Sequence, residues 1–200
     1  MTTSPPRIAN HPINSIFLDR WSPRAFTGET ISEAELASLF EAARWAPSSF
    51  NSQPWRFLYA RKDGPHWDKF LNLLIEFNRS WVSQAAALVY LVSREKFAPP
   101  GASDEVLSHS HSFDTGAAWA SLAFQARFSG WDSHAMVGFD IPQSYQVLGI
   151  PPGYRVEAAI AIGRRGDRSL LPEKVAAREY PSDRRPLTEM AFEGGFPENF

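Results

Sequence analysis

Two short segments carry side chains whose types and spacing suit ligand chemistry. In the first, Asp19-Arg20-Trp21-Ser22-Pro23-Arg24-Ala25-Phe26, two guanidinium groups flank a hydroxyl, and Pro23 keeps them off one continuous helix. Forked, permanently charged donors beside a hydroxyl suit a phosphate. Ordinary surface arginines near a helix end are the alternative. In the second, residues 44–58, Pro47 and Pro54 remove amide donors and bias Ala46 and Gln53 away from helical geometry. Ser48, Ser49, Asn51 and Gln53 lie between them and cannot place their hydrogen bonds in regular structure. They either close turns on their own backbone or serve a ligand.

Other chemistries find less support. The chain has no cysteine, which excludes disulfides, thiolate nucleophiles and thiolate metal sites, so a redox function needs a bound cofactor. His109 and His111 with His134 offer imidazoles, but no carboxylate stands at ligand spacing, and no metal site is expected. Serine-nucleophile elbow, phosphate-loop and dinucleotide-binding glycine motifs are all missing. Arg184-Arg185 reads, on its own, as a solvated basic pair. A formal net charge of -2 gives no general attraction to nucleic acid or to an anionic membrane. The first ten residues hold no apolar stretch of signal length, and no apolar run approaches the roughly 20 residues needed to cross a bilayer, so a cytoplasmic protein is expected. Seven Trp and fifteen Phe serve mostly as core, with some available to stack on planar ligands.

The elements that must hold these residues are legible from caps and periodicity. A short helix is expected over residues 12–20. Ser32 with Glu35 forms a capping box, Ile31 and Leu36 a hydrophobic staple, and Leu36, Leu39, Phe40 and Ala43 line one helical face until Pro47 ends it. Strands are predicted at residues 56–60, 86–92, 133–137 and 156–162, the last with Val156, Ala158, Ile160 and Ile162 on one face. One helix is predicted to carry Trp67, Phe70, Leu71, Leu74 and Asn78 on a shared face. Residues 96–108 read as a loop, and residues 111–129 as a tightly packed helix ended by Gly130. Asp140 caps a short helix with Pro142 in its first turn and Gly149 after its end. The order implies an α+β chain with about four core strands, mainly antiparallel or mixed, surrounded by helices. A single domain over residues 1–200 is expected, with a tail at about 1–11 and an extended arm at about 172–200.

Taken together, the two opening segments resemble the N-terminal signature of the nitroreductase family of FMN-dependent oxidoreductases. The resemblance continues through Asn78-Arg79-Ser80-Trp81, Asp114-Thr115-Gly116-Ala117-Ala118, His134-Ala135-Met136-Val137-Gly138-Phe139-Asp140, Ala161-Ile162-Gly163 and Arg184-Arg185-Pro186-Leu187-Thr188-Glu189. It implies FMN as resident cofactor and NADH or NADPH as transient hydride donor. It assigns Arg20 and Arg184 to the FMN phosphate, with Arg185 as the alternative to Arg184, and adds Trp21 and the Ser22 hydroxyl. Arg24 falls at the flavin N1 and C2 carbonyl edge, Asn78 at the pyrimidine ring, and Met136 beside Val137 and Gly138, whose backbone amides face N5 and O4. Relatives often carry an acidic residue or glycine where Val137 stands, so only a main-chain role transfers. Some carry a lysine where Trp81 stands, which leaves Arg24 as the cation for reduced flavin. Pro47, Ser48, Ser49, Asn51 and Gln53 would reach the cofactor of the opposite subunit, and the C-terminal arm would cross a homodimer. The implied activity is ping-pong reduction of a small electron-poor acceptor such as a nitroaromatic, quinone or enone. Other flavin chemistry of the same family, a flavin carrier without turnover, and a cofactor-free interaction module are the alternatives.

Overall fold

The computed structural model describes residues 7–197; residues 1–6 of the expected tail and 198–200 of the expected arm lie outside the described residues. The first helix, α1 (Ile16–Asp19), is shorter than residues 12–20 predict. The Asn14 side chain accepts the Ile16 amide at 3.0 Å, an Asx turn that starts the helix only there. Helix α2 (Glu33–Arg44) carries the expected capping box, Ser32 Oγ accepting from the Glu35 amide and Glu35 Oε2 from the Ser32 amide.

Strand β1 (Trp55–Arg61) follows the proline-bounded loop. The single helix expected near residues 67–78 is two, α3 (Trp67–Leu71) and α4 (Glu76–Val82). Between them the backbone bonds sideways instead of up the helix: Asp140 N–H donates to the Leu73 carbonyl and Ile75 N–H to that of Gly138. Helical periodicity cannot register such a bridge. Strand β2 (Ala87–Arg94) is followed by a small hairpin, β3 (Lys96–Phe97) with β4 (Val106–Leu107), where a plain loop was expected.

Helix α5 (His111–Phe128) leads into β5 (Asp132–Met136), and α6 (Ile141–Leu148) has the predicted Asp140 cap and left-handed Gly149 stop. Strand β6 (Tyr154–Gly163) completes an antiparallel sheet of order β1-β2-β6-β5. Alternate residues of β2 enter two cores. Leu88, Tyr90 and Val92 face Phe70, Trp81 and Val82, while Ala87, Val89 and Leu91 face Leu36, Leu39, Leu122 and Ala126 of α2 and α5. Strand β6 does not keep one alternation. Its register shifts opposite Leu91 and Val92, so Val156 joins the first core while Ile160 and Ile162 join the second. Glu157 is the extra residue at that shift.

The arm after residue 171 is only partly extended. Helix α7 (Glu173–Ala176) buries Val175 against the first core of its own chain, whereas side chains from Ser182 to Met190 are exposed. Among the described residues no helix is long and apolar enough to cross a membrane.

Candidate functional site

Segments far apart in sequence converge on a cavity of about 370 Å3. The chain after α1 contributes Arg20, Trp21, Ser22 and Arg24, strand β5 contributes His134, the C-terminal arm contributes Arg178, Tyr180, Ser182 and Arg184, and Arg7 comes from the N-terminal side. Five lining residues are arginines, and among the described lining residues none is acidic. Burial lowers the pKa of Arg20, Arg24 and Arg7, and neighbouring cations lower it further: Arg7 and Arg184 act on Arg20, Arg178 on Arg24, and Arg184 on Arg7. Guanidinium groups stay charged under such shifts. The cost of crowding them is relieved by an anion in the cavity.

This arrangement is held by carboxylates just outside the cavity. Buried Asp132 accepts from Arg165 at 2.8 and 3.1 Å and lies 3.7 Å from Arg127, and the Arg165 guanidinium covers the Trp21 ring at 5.1 Å. Buried Glu179 accepts the amides of Arg24 and Ala25 at 2.9 to 3.0 Å, which ties the C-terminal arm to the first segment. Arg7 donates to the carbonyls of Leu18, Arg20 and Ser182 and so joins both ends of the described chain beside the cavity.

A second group stands further along β5. Asn78 Nδ2 on α4 donates to the Gly138 carbonyl at 2.9 Å, and Phe139 N–H returns to that of Val137, making a tight turn at residues 137–139. Gly138 has no room for a side chain: a Cβ would sit 2.4 Å from Asn78 Nδ2 and 2.9 Å from Ile75 Cδ1. Met136 is buried, whereas Val137 is 71% exposed. Gly138 follows His134 by four residues, the first two in β5 and the last two in the turn beyond its end at Met136. Trp81, one turn beyond Asn78 on α4, is fully buried between Phe26 and His134, where it contributes packing and not a cavity wall.

The loop after α2 is strained. Phe50, Asn51 and Gln53 have φ of 51, 53 and 47°, values that side-chain-bearing residues adopt rarely. Part of its polarity closes on itself, since Gln53 N–H donates to Ser48 Oγ and Gln53 Nε2 to the Asn51 carbonyl. Buried Asp114 at the start of α5 accepts the Ser49 amide and the Ser110 hydroxyl, anchoring the loop. None of Pro47, Ser48, Ser49, Asn51 and Gln53 lines the cavity of their own chain.

The nitroreductase family model matches residues 18–80, which carry the first arginine segment, the strained loop and Asn78. The crystal structure of an oxidoreductase containing FMN is 45% identical, superposes with a TM-score of 0.92, and covers 98% of this chain and 99% of its own. The chain belongs to the nitroreductase family. An uncharacterized 15.4 kDa protein of Mycolicibacterium smegmatis is 32% identical over 122 residues, 60% of this chain and 78% of its own. The major NAD(P)H-flavin oxidoreductase of Aliivibrio fischeri is 28% identical over 88 residues, which span 42% of this chain and only 40% of that enzyme.

Within this nitroreductase-family chain, Arg20, Trp21, Ser22, Arg24 and Arg184 share one cavity, whereas Arg185 is exposed and does not line it. Met136, Val137, Gly138 and Asn78 form the turn, and the loop residues form a third group. Sequence reasoning missed Arg7, His134, Arg178, Tyr180 and Ser182 as cavity residues and Glu179 as their tether. The only signal was basic and hydroxyl residues clustered within 178–185. His134, weighed above as a metal ligand, instead hydrogen-bonds Pro23, and among the described residues no group of three His, Cys, Asp or Glu could hold a metal ion.

Proposed function

We propose that this chain is one protomer of a homodimeric, cytoplasmic, FMN-dependent NAD(P)H oxidoreductase that reduces small electron-poor acceptors such as nitroaromatics, quinones or enones. The observation that carries the reading is a five-arginine cavity lined by His134 of β5 and followed, just past the end of that strand at Met136, by a glycine turn with no space for a side chain. That order and donor set fit FMN, with a phosphate at one end and a flavin ring at the other. Arg20, Arg184 and Ser22 hold the phosphate, and Arg7 and Arg178 enlarge the positive field around it. Arg24, whose backbone is fixed by its amide donating to Glu179, supplies the cation for the flavin N1 and C2 carbonyl edge. The turn at Val137 and Gly138 offers main-chain amides, which need no particular side chain at residue 137, while Asn78 and Ile75 packed against residue 138 leave room there for glycine alone. Bound FMN would supply hydride relay, accepting from NAD(P)H and donating to the acceptor in two half-reactions that share one pocket.

Assembly follows from the faces left open. Helix α5 buries Ala118, Leu122 and Ala126 on one side yet shows Phe113 (81% exposed) and Phe128 on others, and Trp45 and Phe50 are exposed as well. A helix apolar on several sides belongs inside a structure, so a second copy covers it. Ser49 and Asn51 then serve the partner's flavin, and the exposed arm beyond Arg184 crosses to the neighbour. Purified protein tests the reading: one FMN per chain, released on denaturation, is expected, and colourless protein that binds no added FMN would overturn it.

A further inference from the structure

His134 sits among the arginines without sharing their chemistry. It is 9% exposed, lines the cavity, and packs against the Trp81 ring at 4.8 Å. Its Nδ1 lies 3.0 Å from the Pro23 carbonyl, an acceptor only, so Nδ1 carries the proton. Burial, aided by the charges of Arg24 and Arg20 and opposed by the carbonyls of Pro23 and Ser22, pushes the imidazole down to about 4, so it is neutral at pH 7. With one proton, held at Nδ1, the other ring nitrogen is left as a bare lone pair. The arginines lining the cavity only donate. A phosphate satisfies them and has no hydrogen to give an acceptor, whereas a hydroxyl has one.

We propose that His134 Nε2 is the hydrogen-bond acceptor for a hydroxyl of a phosphorylated polyol, which, on the flavin assignment that this inference rests on, is the ribityl chain of FMN. His134 is then a specificity-determining residue: it selects the polyol linker, while the arginines select the phosphate. Its position on β5, between the arginine cluster and the Gly138 turn, is where a linker joining phosphate to ring must run. Trp81 and Pro23 set the ring's plane, and the Pro23 contact also ties the tautomer to the backbone between Ser22 and Arg24.

The test separates linker from ring and phosphate. Apo protein is titrated with FMN, riboflavin and lumiflavin, which shares the ring but lacks the ribityl chain, for the natural chain, His134→Asn and His134→Gln. Asparagine keeps a donor near the Pro23 carbonyl but has no atom at the Nε2 position, whereas glutamine places an amide oxygen there. For His134→Asn, about three- to tenfold weaker FMN and riboflavin binding with unchanged lumiflavin binding is expected, the loss of one neutral hydrogen bond. His134→Gln is expected to recover most of it. Equal losses for riboflavin and lumiflavin, or no loss for either, would overturn the polyol role while leaving the flavin assignment standing. A natural chain that binds none of the three would remove the flavin assignment itself, and this inference with it.

Discussion

His134 makes folding stability fall in mildly acidic solution by an amount the structure sets. An imidazole with an unfolded value of 6.5 is pushed by burial to about 4 in the fold. Between those values the unfolded chain binds a proton that the folded chain refuses, so stability is complete above pH 6.5, declines as the pH falls, and levels off below about 4. At about 1.36 kcal/mol per pH unit the full effect is about 3 kcal/mol, of which about 2 develops between pH 7 and pH 5. Glu35, Glu41 and Asp167 are also held below their ordinary carboxyl values, which do not exceed 4.5, so their share falls beneath this window. Urea unfolding of apo protein at pH 7, 6 and 5, with His134→Asn in parallel, isolates the effect. The natural chain is expected to lose about 2 kcal/mol from pH 7 to pH 5 and the variant to lose markedly less. Equal losses would show that His134 either stays solvated or keeps its proton in the fold, and the neutral-acceptor argument would fail with it.

Arg20→Ala and Arg184→Ala are each expected to weaken FMN binding at least tenfold, since charge-assisted contacts contribute roughly 1.5 to 3 kcal/mol. Arg185→Ala, outside the cavity, should leave fluorescence titrations unchanged. Gly138→Ala is expected to destabilise the fold by about 1–3 kcal/mol, because the new methyl must displace an Asn78 side chain that is itself bonded to the Gly138 carbonyl. Adding Asn78→Ala should recover part of that in a double-mutant cycle, and strict additivity of the two would contradict the clash. Sizing of apo and holo protein across a dilution series is expected to show FMN lost as dimers dissociate. A flavin-loaded monomer would contradict the role given to Ser49 and Asn51.

Local chemistry was readable wherever one segment determines its own shape. The Ser32 and Glu35 box and the Asp140 cap with Gly149 need only near neighbours, and both stand as expected. The arginine segment likewise showed its cluster of forked donors, and Arg20, Ser22 and Arg24 do share one cavity. What escaped was long-range. Arg7, His134 and Arg178 to Arg184 meet only because the sheet and the arm bring them together, and Glu179 bonds amides 154 and 155 residues away. The break between α3 and α4 depends on a bridge to Phe139, and the face change at Glu157 on β2's register, neither of which leaves a mark in periodicity. A metal role for His134 was weighed and set aside, but its cavity position stayed hidden because sequence shows an imidazole and not the carbonyl opposite it.

The reductase assignment is tested most directly by adding NADH or NADPH, under anaerobic conditions, to the purified flavin-loaded protein and then supplying a quinone or nitroaromatic. The flavin absorbance is expected to bleach rapidly on the first addition and to return on the second. Persistent yellow colour with both nicotinamide donors would contradict it and leave a flavin carrier in its place.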